Sequence, residues 1–358
     1  NKKILLQKKM IPHNKTFISL NDLKKSNKIL ISGKISDGSF AKKFEKKFSK
    51  KIYGKGYSAA LSSGTAALTF AIKSLKENSD KKKLRIGIPS YSCSALLNAV
   101  YANNDIPILF DVDLKNFNLS KENINKKCDI LICNHTFGSA CDIKSLQLHP
   151  KVKIIEDCCH SLGSERHSSL GKLGDVSIYS FYATKVVTGG HGGLVWSKNK
   201  KLIKKIKEFR EFDGIKNYVK TLNFKISDFQ LAIIDNQMKR LETIRKKRLI
   251  IYKRYFNEIK NKFEVQHGFQ NSKLIPYRFV LRLKNEKERN KLLRYFYKNS
   301  VKTIPPISKF ELLHRYLKLS PKNFPNSEKI AESSLSIPIF NSLKNSEVKK
   351  ICKILKNF

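Results

Sequence analysis

From Phe40 to about Trp196 the chain alternates short apolar runs with amphipathic segments, and this rhythm restricts the fold more than any other feature of the sequence. Residues 57–61, 85–88, 106–110, 130–133, 152–155, 177–181 and 193–196 read as short buried strands. Between them, 65–76 carries Ala66, Phe70 and Leu75 among its apolar positions and reads as a helix, as does 94–102. Strands alternating with helices imply an α/β fold with a mostly parallel, doubly wound sheet and helices on both faces. Ligands of such sheets sit at the carboxyl ends of the strands, where the loops are.

The pattern changes after Lys198. Residues 201–212 and 227–255 read as long charged helices, 277–283 as a strand, 286–298 as a helix and 346–356 as a final helix. The expected organisation is a large domain over 1–240 and a smaller α+β domain over 241–358, divided inside the long helix near Arg240. The first 32 residues are expected to serve as an arm toward substrate or a second subunit. No apolar run is long enough to cross a bilayer, and residues 1–13 hold too few apolar side chains for a secretory core, so a cytoplasmic protein is expected.

Lysine and arginine number 72 against 29 acidic residues, a formal net charge of +43. Such a balance raises the prospect of a nucleic-acid partner. The basic runs, however, are spread along the whole chain, and several, such as KKFEKKFSKK and KKLIKKIKEFR, space their apolar residues as amphipathic helices do. They read as solvated helix faces, and no dedicated nucleic-acid site is expected. The seven cysteines lack paired CxxC spacing, so neither a zinc site nor a disulfide framework is expected.

Three segments carry chemical promise. Ser62-Ser63-Gly64-Thr65-Ala66 sits at a strand-to-helix turn, where Gly64 admits close approach and free helix amides attract an anion; a plain helix cap gives the same pattern. Ile154-Ile155-Glu156-Asp157 brings two acids to the end of an apolar strand. A buried Asp there needs a cation such as a protonated pyridine nitrogen, unless it only caps the next helix. Lys185 follows the strand-ending Ser180 by five residues and precedes the glycine-rich Gly189-Gly190-His191-Gly192-Gly193. A lysine in such a setting loses its proton more easily than one on the surface and attacks carbonyls.

Together with PSYSCSALLNAV, FDVD, HTFGSACDI and NFKISDFQLA, the order SSGTAAL, IEDCCHSLGS, GDVSIYSFYATK and TGGHGG resembles the DegT/DnrJ/EryC1/StrS family of sugar aminotransferases, from about Gly33 to the end of the chain. The resemblance implies a fold-type-I enzyme that uses pyridoxal 5'-phosphate and moves an amino group, typically from glutamate, to a nucleotide-linked keto-sugar in amino-sugar and surface-polysaccharide synthesis. Lys185 falls at the Schiff-base lysine and Asp157 at the partner of the pyridine nitrogen. His160 falls near the ring hydroxyl, and Gly64, Thr65, Ala66 and Ser180 at the phosphate. Asn223 matches a residue that reaches the phosphate from the partner subunit, which implies a homodimer with shared sites. Cys93 stands where an aromatic residue often stacks on the ring, with Tyr91 two residues earlier. Val186, His191 and Lys225 replace the family's common Asn, Glu and Arg. The usual His near Pro305-Pro306 is missing, with His314 the candidate substitute. Relatives that act on a non-sugar ketone, sugar dehydratases with histidine in place of the lysine, and non-catalytic regulatory or nucleic-acid-binding relatives are the alternatives; Lys185 disfavours the second and the Lys185–Asp157 pair the third.

Overall fold

The computed structural model describes residues 10–358 except 37, 78, 167, 212, 214–220, 260–261 and 270–272. Its centre is a seven-stranded sheet of β1 (Tyr57–Leu61), β2 (Arg85–Pro89), β3 (Ile106–Phe110), β4 (Ile130–Asn134), β5 (Lys153–Asp157), β6 (Val176–Ser180) and β7 (Gly193–Ser197), in the order β1-β7-β6-β5-β4-β2-β3. The pairs among β2 to β6 are parallel, whereas β7 runs antiparallel to both β1 and β6. All seven expected strands are present, each within two residues of its expected ends.

Side chains of a strand alternate between faces, and here they feed two cores. Ala59, Leu61, Ile178 and Val195 pack with Leu68, Ile72, Leu97 and Ile203, which come from α3 (Gly64–Lys76), α4 (Ala95–Tyr101) and α5 (Lys200–Arg210). Ala60, Tyr179, Leu194 and Trp196 face the other way, onto Phe44 and Phe48 of α2 (Ser39–Tyr53). The basic runs are amphipathic helices as the spacing implies. In α5, Leu202, Ile203, Ile206 and Phe209 are buried while Lys200, Lys201 and Lys204 are exposed.

The single helix expected over 227–255 is two helices, α6 (Asp228–Met238) and α7 (Leu241–Ile259), broken at Lys239–Arg240. The break seats Arg240, which donates to both Asp22 oxygens at 2.7 and 2.8 Å. Asp22 belongs to α1 (Leu20–Ile31), which packs along α6. A second, antiparallel sheet joins β8 (Glu264–Val265), β9 (Phe279–Arg282) and β10 (Ser334–Ile337), with α8 (Glu286–Lys298) and α9 (Pro325–Ser333) in contact with each other and α10 (Asn345–Asn357) on α7. Residues 10–18 do not stay with the first sheet. Ile11 bridges to Val301, His13 Nε2 meets Ser336 Oγ at 2.9 Å, and Thr16 donates to the Ala183 carbonyl at 2.7 Å, two residues before Lys185.

Candidate active site

The loops after β1, β2, β4, β5 and β6 converge with Tyr277 and Arg278 on one cleft of about 350 Å³, at the carboxyl ends of the strands as the sheet type requires. On the β1 side, Ser63 is the extended N-cap of α3 and its Oγ accepts the Ala66 amide at 3.1 Å. The amides of Gly64 and Thr65 have no acceptor within the helix, which leaves them and the positive helix end to a ligand. A Cβ on Gly64 would stand 2.8 Å from Ser180 Cβ and 3.1 Å from its Oγ, so only glycine lets the two lie together. Ser63, Gly64, Thr65 and Ser180 line the cleft and Ala66 does not. The expectation for Ala66 is corrected accordingly: its amide is already taken by the cap and its side chain is buried in the core.

The two adjacent acids part company because neighbouring strand positions face opposite ways. Glu156 turns from the cleft, where its carboxylate accepts the amides of Gly171, Leu173 and Gly174 at 2.8, 2.6 and 2.6 Å and faces His135 Nε2 at 3.2 Å. Burial alone raises a carboxyl; the His135 contact and the amides outweigh it and hold Glu156 below its usual range. Asp157 faces the cleft at 8% exposure. Its oxygens accept Asn134 Nδ2 at 3.1 Å and the Cys159 amide at 3.0 Å. Asn134 is the register partner of Asp157 on β4 and donates as well to Ser92 Oγ at 3.1 Å. The sequence reading missed Asn134; a polar residue closing the apolar run Ile130–Cys133 was the available sign.

Lys185 is half-buried, on the turn after β6, with Nζ 5.2 Å from the Tyr277 ring centroid. Burial works against its charge, but Tyr277, Cys159, Cys93 and Asp157 outweigh that and leave the amine pKa raised, which corrects the expectation that this setting makes its proton easier to lose. Cys93, exposed, and Cys159, half-buried, both line the cleft, and the loss of water around them raises both thiols, so they stand as neutral groups.

His160 is clamped. Its ring lies 4.1 Å from that of Tyr277 at 10° and 5.7 Å from that of Phe137 at 29°. The Phe137 amide donates to His160 Nδ1 at 3.3 Å, and the Phe137 carbonyl accepts the Tyr277 amide at 3.0 Å. Phe137 makes these contacts from a left-handed backbone (φ 52°), a conformation that costs a non-glycine residue about 1–3 kcal/mol. Burial, then the charges of Lys185 and Arg278, drive the imidazole pKa well below its usual value, so His160 is neutral. Phe137, Tyr277 and Arg278 were not foreseen as site residues, because no local motif marks a clamp made from segments about 140 residues apart.

Two candidates lie elsewhere. His314 is fully buried between Ser90 Oγ (2.6 Å) and Glu328 (2.8 Å), stacked on Phe324, so it does not replace the missing histidine. Asn223 is exposed and outside the cleft of its own chain. A third cluster, His135, Glu156 and Cys158, has donor atoms within 4.8 Å of one another. Both His135 nitrogens and both Glu156 oxygens are already engaged, His135 Nδ1 by the Cys141 amide at 3.1 Å, so the cluster is a structural knot. All seven cysteines are free.

A half-buried lysine amine, a buried carboxylate and free amides at a helix start, set round one cleft of this sheet, are the groups that a pyridoxal-phosphate-dependent aminotransferase needs. The donor set fits that cofactor: an anion for the ring nitrogen, an amine for the aldehyde, and amides with hydroxyls for the phosphate. The family model of the DegT/DnrJ/EryC1/StrS aminotransferases matches residues 18–356, and the chain belongs to this family. It is 26% identical over 367 residues to the GDP-perosamine synthase of Vibrio cholerae, covering 98% of this chain and 99% of that protein. It is also 26% identical to the dTDP-3-amino-3,6-dideoxy-alpha-D-galactopyranose transaminase of Aneurinibacillus thermoaerophilus, covering 95% and 94%. Among solved structures, Helicobacter pylori PseC, an aminotransferase involved in pseudoaminic acid biosynthesis, superposes with a TM-score of 0.87 at 20% identity over 98% of this chain and 99% of that one. A family aminotransferase from Brucella abortus gives 0.84 at 21% identity over 94% and 95%.

Proposed function

We propose that the chain moves an amino group from glutamate to a keto-sugar carried on a nucleotide, supplying an amino sugar for surface polysaccharide or lipopolysaccharide. The observation that carries this reading is the convergence of Lys185, Asp157 and the Ser63–Thr65 cradle on one cleft. Relatives that match nearly the whole chain carry names of that activity. Lys185, in place of a histidine, stands against dehydration.

In this reading Asp157 pairs with the pyridine nitrogen, and Asn134 keeps the carboxylate aimed and ionised. Thr65, Gly64, Ser63 and Ser180 take the phosphate, neutral His160 meets the ring hydroxyl, and Cys93 packs on the ring. When bound, pyridoxal phosphate supplies an electron sink that acidifies the C–H beside the transferred nitrogen. Lys185 Nζ takes the proton from the carbon bearing the donor's amino group and returns one on the cofactor side, acting as general base and then general acid. The clamp of Phe137 and Tyr277 keeps His160 from turning away as this happens.

The working unit is a homodimer with Asn223 reaching the partner's phosphate site. In support, Leu20, Leu23, Leu30 and Ile31 are exposed on one side of α1, an apolar stripe that a lone subunit leaves wet. The chain divides near Arg240 into a cofactor-holding part and a smaller α+β part, with residues 10–18 crossing between them. No helix among the described residues is long and apolar enough to cross a membrane, and the cytoplasm is the proposed compartment.

Purified protein given pyridoxal phosphate should show a visible absorption band that bleaches on adding glutamate. Keto-sugar nucleotides should then restore it. Protein that stays colourless after cofactor addition overturns the reading, and a band that persists with every amino donor replaces it with non-transaminating chemistry.

A further inference from the structure

Three charged side chains line the cleft besides neutral His160: Asp157, Lys185 and Arg278. The proposed function uses the first two, which leaves one guanidinium unspent. Its Nε and Nη1 are enclosed, with no hydrogen-bond acceptor among the described residues. A guanidinium presents five donors and cannot discharge itself by losing a proton. Leaving two of them enclosed without acceptors is costly, so a built-in Arg of this kind points to an anionic ligand.

The surroundings fix where that anion lies. The Arg278 amide approaches the Phe137 carbonyl at 3.4 Å, and its guanidinium carbon stands 5.3 Å from the Phe137 ring centroid and 5.7 Å from that of Tyr277. Lys185 Nζ stands 5.2 Å from the same Tyr277 ring, so the two cations share one aromatic neighbour. The phosphate cradle belongs to β1 and β6, whereas Arg278 is held by the loop after β4, with the strand bearing Asp157 between them. The phosphate cradle and Arg278 therefore belong to opposite sides of the strand that bears Asp157.

We propose that Arg278 binds the α-carboxylate of the amino donor and so sets the donor's orientation over Lys185. The inference rests on the transaminase reading above and adds the group that recognises the donor. Its chemistry follows from connectivity. The α-carboxylate is bonded directly to the carbon that Lys185 deprotonates, so its anchor must stand beside Lys185. The diphosphate of a nucleotide-sugar is separated from a ring ketone by several bonds and reaches a more distant cation. A planar fork also matches a carboxylate with two parallel hydrogen bonds.

The test uses glutarate, a dicarboxylate with no amino group to give, titrated calorimetrically into the cofactor-loaded protein. Replacing Arg278→Gln should weaken glutarate binding at least tenfold, and Arg278→Lys, which keeps the charge without the fork, should fall between the two. Cofactor uptake should change less than threefold in both. Unaltered glutarate affinity in Arg278→Gln overturns the assignment, as does a loss confined to the sugar nucleotide, which gives the guanidinium to the diphosphate. Melting curves that coincide with the parent exclude a folding effect, and in Arg278→Lys the fold is preserved by a side chain of similar length. A parent protein that binds cofactor and glutarate yet aminates nothing defeats the transaminase reading while leaving the carboxylate site standing.

Discussion

Glu156 and Asp157 are adjacent in sequence and alike in chemistry, yet the structure assigns one to the framework and the other to the site, so exchanging each for its amide should separate stability from activity. Glu156 accepts three amides at 2.6–2.8 Å as well as His135. In Glu156→Gln one oxygen becomes an NH2 group that must face amide or imidazole donors on its side. Two charge-assisted bonds are lost, at about 1.5–3 kcal/mol each, and buried donors are left facing one another. A destabilisation of about 3–5 kcal/mol follows, the scale of breaking a buried ionic contact. Asp157 accepts Asn134 and the Cys159 amide and meets the Cys159 thiol, so Asp157→Asn costs about 1–2 kcal/mol of stability. It removes the charge facing the cofactor ring, and activity should fall by two or more orders of magnitude, about the scale of losing one preorganised electrostatic partner. Urea denaturation and steady-state turnover of both variants, each saturated with cofactor, make the comparison. Equal denaturation midpoints, or an active Asp157→Asn, refute the division of roles.

Lys185→Ala should bind cofactor without the visible band and lose turnover entirely, which absorbance and product assay report. Because the Lys185 amine pKa is raised, the neutral form that attacks the aldehyde is scarce at pH 7; the rate of band formation should climb about tenfold per unit between pH 7 and 9, and a flat profile is the contrary result. Gly64→Ala drives a methyl group into Ser180 and should weaken cofactor affinity at least tenfold, measured by equilibrium dialysis. His13 is lowered to about 3 by burial, Arg278 and Lys302, and His160 is also lowered. Both stay neutral in the folded chain while the unfolded chain protonates them below about pH 6.5, so stability is full above that pH and falls below it, by about 2 kcal/mol at pH 5 for His13. Urea midpoints at pH 7 and 5 should differ less in His13→Gln than in the parent.

The α/β rhythm and several residues of the cleft were legible because each rests on local information. A strand ending in Asp157, a turn at Gly64 and a lysine five residues beyond Ser180 are all readable within short windows. What escaped was whatever distant segments build together. The clamp on His160 draws on Phe137 and Tyr277, and the arm from Ile11 to Thr16 reaches Val301 and Ala183. His314 shows the reverse error, since its position in the sequence suggested the site while its partners Ser90 and Glu328 bury it.

The left-handed backbone of Phe137 has a consequence for the order in which the protein comes into being. The residues proposed to hold the cofactor, from the cradle to Lys185, all lie between residues 63 and 185. The turn at 136–138 is different: Tyr277 and Arg278 tie down the Phe137 carbonyl, and the Ile275 carbonyl fills the space beside Gly138 that any side chain would need. Until those residues emerge, His160 has one wall of its slot but not the other. The last quarter of the chain thus closes the slot around His160 from a distance of about 140 residues.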